Sequence, residues 1–292
     1  MRRFTALVNP ISGGGTAAAR FAPLADAVRA AGANVDIVAT QSQEHAVECA
    51  REASGRGDVV VAVGGDGLVR DVAAGAVATG GTMAIVPAGR GNDLALGLGL
   101  PTGVPELADL LLTGPVRKLD VLDADGAIVP GNVYAGLDAL ATKIINGNRR
   151  VPARLLYRLA PVLALVRWRP TSFTASIDGV SVTVRGHMVV IANSGRYGHG
   201  LHIVPSAVLD DGRLDVLAIG AIPKVKVAAC MGEAKTGEHV RRPEVQVHSG
   251  TEVTLTADRP VPVGADGDLI GHLPVTVRVR PGALNLIAPP PA

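Results

Sequence analysis

Val59-Val60-Val61-Ala62-Val63 runs straight into Gly64-Gly65-Asp66-Gly67. Five apolar, mostly β-branched residues without alternation read as a strand buried on both faces, as in a parallel sheet covered by helices. Upstream, Phe4-Thr5-Ala6-Leu7-Val8 reads as a first strand, Thr16 to Ala31 as an Ala-rich helix stopped by Gly32, Val35 to Val38 as a second strand and Glu44 to Ala53 as a second helix. Downstream, Met83-Ala84-Ile85-Val86 is a fourth strand. The alternation of strand and helix is the α/β signature. It places three loops at strand C-terminal ends: Asn9-Pro10-Ile11-Ser12-Gly13-Gly14-Gly15, Gly64 to Gly67, and Pro87-Ala88-Gly89-Arg90-Gly91-Asn92-Asp93. Open α/β sheets bind their ligands at such ends.

Beyond about residue 115 the texture changes to period two. Phe173, Ala175 and Ile177 alternate with polar residues, Asp178-Gly179 turns the chain, and Val180, Val182 and Val184 return. Val245/Val247, Val253/Leu255 and Val275/Val277/Val279 repeat the pattern, so a second, mostly antiparallel β domain is expected, interrupted by a basic helical stretch from Arg149 to Arg169. The expected boundaries are 1–127 for the α/β domain, with 283–292 returning to it, and 128–282 for the β-rich domain.

Composition narrows the function. With 28 Lys plus Arg against 26 Asp plus Glu the charge is +2, no nucleic-acid polycation, and 2% aromatics leave few rings for stacking on bases. Cys49 and Cys230 lie far apart and read as two buried thiols of a cytosolic chain without a disulfide framework. The longest apolar stretch, Leu159 to Val166, contains Pro161 and falls far short of the ~20 residues of a membrane crossing. Membrane contact is therefore expected to be peripheral.

Glycine turns let backbone N–H groups approach an anion, so the three loops invite a phosphate. The common fingerprints are missing: Gly232-Glu233-Ala234-Lys235-Thr236 only echoes a P-loop, Ala18 stands where a dinucleotide fold needs its last glycine, and strand two ends at Thr40 without an acidic ribose partner. Asp66 between two glycines after a buried strand is held rigidly, a place from which to steer Mg²⁺ and its waters; the alternative is a helix N-cap.

Asn9-Pro10-x-Ser12-Gly13, Gly64-Gly65-Asp66-Gly67 and Pro87-x-Gly89-x-x-Asn92-Asp93, in this order, resemble the diacylglycerol kinase catalytic-domain family of soluble lipid kinases, which includes sphingosine and ceramide kinases. The resemblance extends over residues 4 to 288, through Asn193-Ser194-Gly195-x-Tyr197-x-x-Gly200, Asp210-Asp211-Gly212-x-Leu214-Asp215 and Gly264-Ala265-Asp266-Gly267-Asp268. It implies a three-layer α/β domain like that of NAD kinases and phosphofructokinases, followed by an antiparallel β-sandwich-like domain. By the same resemblance ATP and Mg²⁺ are used. Asn9, Pro10, Ser12, Gly13, Thr40, Gly64, Gly65, Asp66, Gly67, Arg70, Gly89, Arg90, Asn92 and Asp93 would form the nucleotide side, with Asp66 reaching a metal through water and Asn92 and Asp93 ordering the third loop and capping the next helix. Asp211, with the backbone carbonyls of Val208 and Arg213, would hold a structural Mg²⁺. Asp266 would be the general base and Asp268 would lie close to the nucleotide, roles that could be exchanged; the plain reading of this segment is a hairpin turn.

Leu68, Arg70-Asp71, Arg90 and Asp268 depart from the family pattern of Thr, Asn-Glu, Thr and Glu. Each lost hydroxyl removes a hydrogen bond worth about 1 to 3 kcal/mol if charge-assisted, and Arg90 offers a phosphate contact in exchange. Arg149, Arg150, Arg154 and Arg158 around Leu155, Leu156 and Tyr157, with Trp168 between Arg167 and Arg169, suit either a transient anionic membrane surface or a solvated or packed helix face. His199-Gly200-Leu201-His202 has no third ligand nearby for a metal. The expected activity is γ-phosphate transfer to a lipid hydroxyl, diacylglycerol first; a sphingoid lipid or NAD as acceptor, and a non-catalytic nucleotide- or lipid-binding protein, are the alternatives. No nucleic-acid partner is expected, and a homodimer is left open.

Overall fold

The continuous apolar runs become buried parallel strands in the computed structural model, which describes residues 2–148 and 153–291. The chain divides into two units, Met1–Val121 with Arg196–Gly200 and Arg280–Ala292, and Leu122–Gly195 with Leu201–Val279. The first contains β1 (Arg3–Val8), α1 (Ala17–Ala30), β2 (Asn34–Ala39), α2 (Gln43–Gly55), β3 (Val59–Gly64), α3 (Asp66–Thr79), β4 (Thr82–Pro87), α4 (Asp93–Gly97), α5 (Val104–Thr113) and the start of β5 (Val116–Ala124). Its strands run parallel in the order β2-β1-β3-β4, and Asn285 and Leu286 pair beside Thr82 and Met83 of β4. Phe4, Ala6, Val8, Val61, Val63, Ala84 and Val86 pack on Phe21, Leu24 and Val28 of α1 and Leu107 and Leu111 of α5. The alternate positions, Leu7, Val60, Ala62, Met83 and Ile85, are buried as well, and α2 and α3, packed on each other, cover that side. The result is helix, sheet and helix in three layers. Because every strand points the same way, the loops after β1, β3 and β4 emerge at one edge.

The rest of the chain carries β6 (Ala127–Val129), β7 (Asn132–Gly136), α6 (Leu137–Gly147), α7 (Ala153–Arg167), β8 (Thr171–Ile177), β9 (Val180–Ala192), the two-residue β10 (Arg196–Tyr197) and β11 (Leu201–His202), β12 (Leu214–Gly220), α8 (Lys224–Glu233), β13 (Val245–Gly250), β14 (Glu252–Ala257), β15 (Pro262–Ala265), β16 (Asp268–His272) and β17 (Val275–Ile287). In the second unit the order β16-β15-β7-β9-β8-β14-β17 is antiparallel throughout. Strand β9 serves two neighbourhoods: Val180–Gly186 pairs with β8, while Met188–Ala192 lies between β7 and β12. Its second half is fully buried, as a strand with partners on both sides requires. Asp178 and Gly179 both take positive φ, the primed turn that matches the twist of the two strands they join. On β8 every other side chain is buried, and Phe173 among them stacks on Trp168 at 6.5 Å between ring centroids. Cys230 is buried as expected, whereas Cys49 is only half-buried, its Sγ 3.3 Å from His45 Nε2; both are free thiols.

Candidate active site

In the first unit three loops converge. Loop one turns on Gly13, Gly14 and Gly15, all at positive φ, and a Cβ on Gly13 would meet the Ala88 carbonyl at 2.8 Å. Asn9 closes this loop on itself: its Oδ1 accepts the Ile11 N–H at 3.1 Å and its carbonyl the Ser12 N–H at 3.1 Å. Thr40 lies beside it, its N–H on the Val8 carbonyl at 2.9 Å. Loops two and three touch backbone to backbone, since a Cβ on Gly89 would clash with the Gly65 Cα. Only glycine permits that approach. At the start of α3, the N–H groups of the first turn have no partner within the helix, and the helix dipole adds partial positive charge.

Asp66 is the brace of this assembly. It is the first residue of α3, not its N-cap, which is Gly65. Its carboxylate accepts the Asn92 N–H at 2.9 Å and the Asp93 N–H at 2.7 Å, fixing the end of loop three to the start of α3. Burial, then the charge of Asp93, push its carboxyl up to about 6, against the opposing pull of these N–H groups. Asn92 sits at φ 55 and closes loop three with its side chain, Oδ1 accepting the Gly89 N–H at 2.9 Å. It occupies the N-cap position of α4 without giving a side-chain cap, a correction to the expected capping role. Asp93 in turn accepts N–H groups from His199 at 3.2 Å and Gly200 at 2.5 Å, and the His199 ring nitrogen meets the Arg90 carbonyl at 3.2 Å. His199 is thus a loop-ordering residue.

Arg70, expected on the nucleotide side, is buried in α3. Its guanidinium is buried and lies on Asp71, Nη2 to Oδ1 at 2.9 Å, because the second turn of α3 faces inward. Arg90 is exposed at the tip of loop three.

The second unit brings Asp266 and Asp268 together at the β15–β16 hairpin. Asp266 takes φ 43 at the turn, and its carboxylate accepts the Gly131 N–H at 3.0 Å and the Asn132 N–H at 2.8 Å. These two bonds orient the group from a neighbouring strand. Tyr134 completes this corner: its OH lies 3.2 Å from Thr142 Oγ1, and its ring fills the space where a Cβ on Gly264 would stand. Burial holds its phenol well above the ordinary range; Thr142 opposes, and the charges of Asp138, Asp266 and Asp268 add to the rise. Tyr134, Thr142 and the Gly131–Asn132 backbone were not singled out in the sequence. The available signal was the glycine-framed run Gly131-Asn132-Val133-Tyr134-Ala135-Gly136.

The turn at residues 208–213 presents Asp211, whose Oδ1 accepts the Arg213 N–H at 2.9 Å, while the Arg213 guanidinium is drawn away to Ser249 Oγ at 2.9 Å. Asp215 is close enough that Asp211, after burial, raises its carboxyl, with a Ser249 hydrogen bond opposing. No three His, Cys, Asp or Glu side chains gather as a metal cluster among the described residues. An Asp carboxylate with carbonyl oxygens and water is nonetheless an all-oxygen donor set, which suits Mg²⁺.

Residues 3–124 match the diacylglycerol kinase catalytic domain, and residues 131–288 the YegS C-terminal NAD kinase beta sandwich-like domain. A diacylglycerol kinase of Mycobacterium tuberculosis is 30% identical over 295 residues, covering 98% of this chain and 95% of that protein. The chain belongs to the diacylglycerol kinase family. A Bacillus subtilis diacylglycerol kinase is 24% identical over 279 residues, with 94% of this chain and 92% of that protein covered. The crystal structure of a diacylglycerol kinase from Bacillus anthracis shares the fold, with a TM-score of 0.72 at 20% identity over 99% of this chain and 97% of that one. As a member of this family the chain is a lipid kinase, a phosphotransferase with an alcohol acceptor. No described helix is long and apolar enough to cross a membrane. Arg149 and Arg150, and the side chains of Arg154 and Tyr157, all singled out in the sequence, lie outside the described residues.

Proposed function

We propose that this lipid kinase transfers the γ-phosphate of ATP to the hydroxyl of diacylglycerol, giving phosphatidic acid, with Mg²⁺ as metal. The observation that carries the nucleotide side is the Asp66 carboxylate tying Asn92 and Asp93 to the start of α3. It converts two glycine loops into one fixed surface with N–H groups beside it. Phosphoryl transfer asks the protein mainly to position groups and neutralise charge, and a rigid backbone surface does this without reorganisation. Ser12, Gly13, Gly65, Gly89 and Arg90 face the phosphates in this reading, and Thr40 the rest of the nucleotide.

Asp266 takes the proton of the acceptor hydroxyl, its carboxylate held in one orientation by Gly131 and Asn132. Asp268 takes the nucleotide-side role in this reading. Asp211 and the carbonyls of Val208 and Arg213 hold a structural Mg²⁺, and Asp66 meets the catalytic one through water. Bound Mg²⁺ supplies neutralisation of the phosphate charge. Arg70 is left out of the nucleotide set on the strength of its burial.

The test is transfer of labelled γ-phosphate from ATP with Mg²⁺ into diacylglycerol, ceramide, sphingosine and NAD offered in mixed micelles. Label in diacylglycerol is expected. Label in another acceptor alone replaces the substrate, and label in none overturns the reading.

A further inference from the structure

Asn193, the residue after β9, lies behind the two peptide groups that hold Asp266. Its backbone N–H donates to the Gly131 carbonyl at 3.0 Å and its side-chain Nδ2 to the Pro130 carbonyl at 2.8 Å. The other ends of the same peptide groups face the carboxylate. The Pro130 carbonyl shares its peptide with the Gly131 N–H, which Asp266 Oδ2 accepts at 3.0 Å, and the Gly131 carbonyl shares its own with the Asn132 N–H, which Oδ1 accepts at 2.8 Å. A trans peptide points its C=O and N–H in opposite directions, so Asn193 and Asp266 hold the two units from opposite sides.

This alignment does not come with the strand. In an extended chain successive peptide groups alternate in direction, whereas here two in a row point the same way, and the chain bends at Pro130 and Gly131 before it enters β7. Asn193 fixes them from a place that is itself fixed, since the preceding Ala192 pairs with Asn132 across β9 and β7. A carbonyl oxygen needs a donor, which the Asn193 amide nitrogen supplies. Hydrogen bonds in a chain polarise one another, so donation to each carbonyl also strengthens the N–H at the far end of its peptide. Glycine is required between them, because a Cβ on Gly131 would run into Asp266 Oδ1. Asn193, Pro130 and Gly131 are buried while Asp266 is only half-buried. The carboxylate can therefore meet an acceptor, and Asn193 acts through the backbone.

We propose that Asn193 is a positioning residue for phosphoryl transfer: through the two peptide groups of Pro130, Gly131 and Asn132 it sets the direction in which the Asp266 carboxylate meets the acceptor hydroxyl. This deepens the reading of Asp266 as general base and rests on it.

The test is a cycle of Asn193→Ala and Asp266→Asn, singly and together in the full chain, with kcat for transfer to diacylglycerol and KM for ATP measured on each. Asn193→Ala should lower kcat by about 10 to 100-fold, the order of loss that a misplaced reacting group brings, and leave KM for ATP as in the wild type. In the Asp266→Asn background the same substitution should lower kcat little further, because groups that act as a unit are not additive. A tie that merely joins β7 to β9 would instead lower kcat by the same factor in both backgrounds. Asn193→Ser, which keeps a hydroxyl in the buried site, takes the same cycle if the Ala variant does not fold. Gly131→Ala, whose methyl displaces the carboxylate and leaves Asn193 in place, should repeat the loss of kcat at unchanged KM for ATP. Unchanged kcat in the Asn193 or Gly131 variants, or equal losses in the two backgrounds, overturns the proposal and leaves Asp266 standing as the base. Full transfer by Asp266→Asn overturns the base reading and the proposal with it.

Discussion

Asp66 and Asp266 do the same mechanical work in two unlike settings. Each stands beside glycine, Asp66 at the start of a helix and Asp266 in a hairpin turn, and accepts two backbone N–H groups from a segment distant in sequence, Asn92 and Asp93 in one case, Gly131 and Asn132 in the other. Their neighbours differ. Asp66 has a second carboxylate, Asp93, close enough to raise its own titration, whereas Asp266 stands near the buried phenol of Tyr134. A glycine-flanked carboxylate thus specifies a clamp first, and its chemistry follows from what the clamp brings near.

Asp71, on the same helix as Asp66, makes the sharpest contrast because its partner is a buried guanidinium. Arg70→Met leaves that carboxylate buried without its cation and should cost about 3 to 5 kcal/mol. Chemical denaturation should show the loss. A variant of unchanged stability and raised KM for ATP would return Arg70 to the nucleotide site.

The pH profile separates the clamps next. The Asp66 carboxyl moves from 3.8 to about 6 in the fold, so between these values the folded chain keeps a proton that the unfolded chain has released. Stability should therefore fall as pH rises through the window, by on the order of 2 to 3 kcal/mol, with the cost complete above it. In metal-free buffer the difference in urea midpoint between the wild type and Asp66→Asn should change across about pH 4 to 6. Parallel profiles would contradict the shift.

Gly89→Ala and Gly264→Ala test the walls of the two sites. The first drives a methyl into the Gly65 backbone and the second into the Tyr134 ring. Each should cost about 1 to 3 kcal/mol, and the first alone should weaken ATP binding. The smallest effect is expected from Tyr134→Phe, which removes the Thr142 hydrogen bond at about 1 kcal/mol and should leave ATP affinity untouched.

Much of this architecture was legible in the chain. Val59 to Val63 without alternation announced a strand buried on both faces, and Asp178-Gly179 announced a primed turn, because both signals are local. The loops were legible as well, since each glycine-bearing stretch directly follows a buried strand. What the loops do to one another was not. That Asp66 reaches Asn92 and Asp93, or that His199 and Gly200 close on Asp93, depends on contacts across many residues. Arg70 misled because a charged residue three positions after a glycine loop looks exposed, and only the burial of this part of α3 shows otherwise.

ATP affinity and phosphoryl transfer measured side by side on Asp66→Asn and Asp266→Asn test the account most directly. Asparagine has one acceptor oxygen for two N–H donors, so each change loosens one clamp. Asp266→Asn should bind ATP as the wild type does and lose transfer by about 10² to 10⁴-fold, while Asp66→Asn should lose ATP affinity. Full transfer by Asp266→Asn, or unaltered ATP affinity in Asp66→Asn, would contradict it.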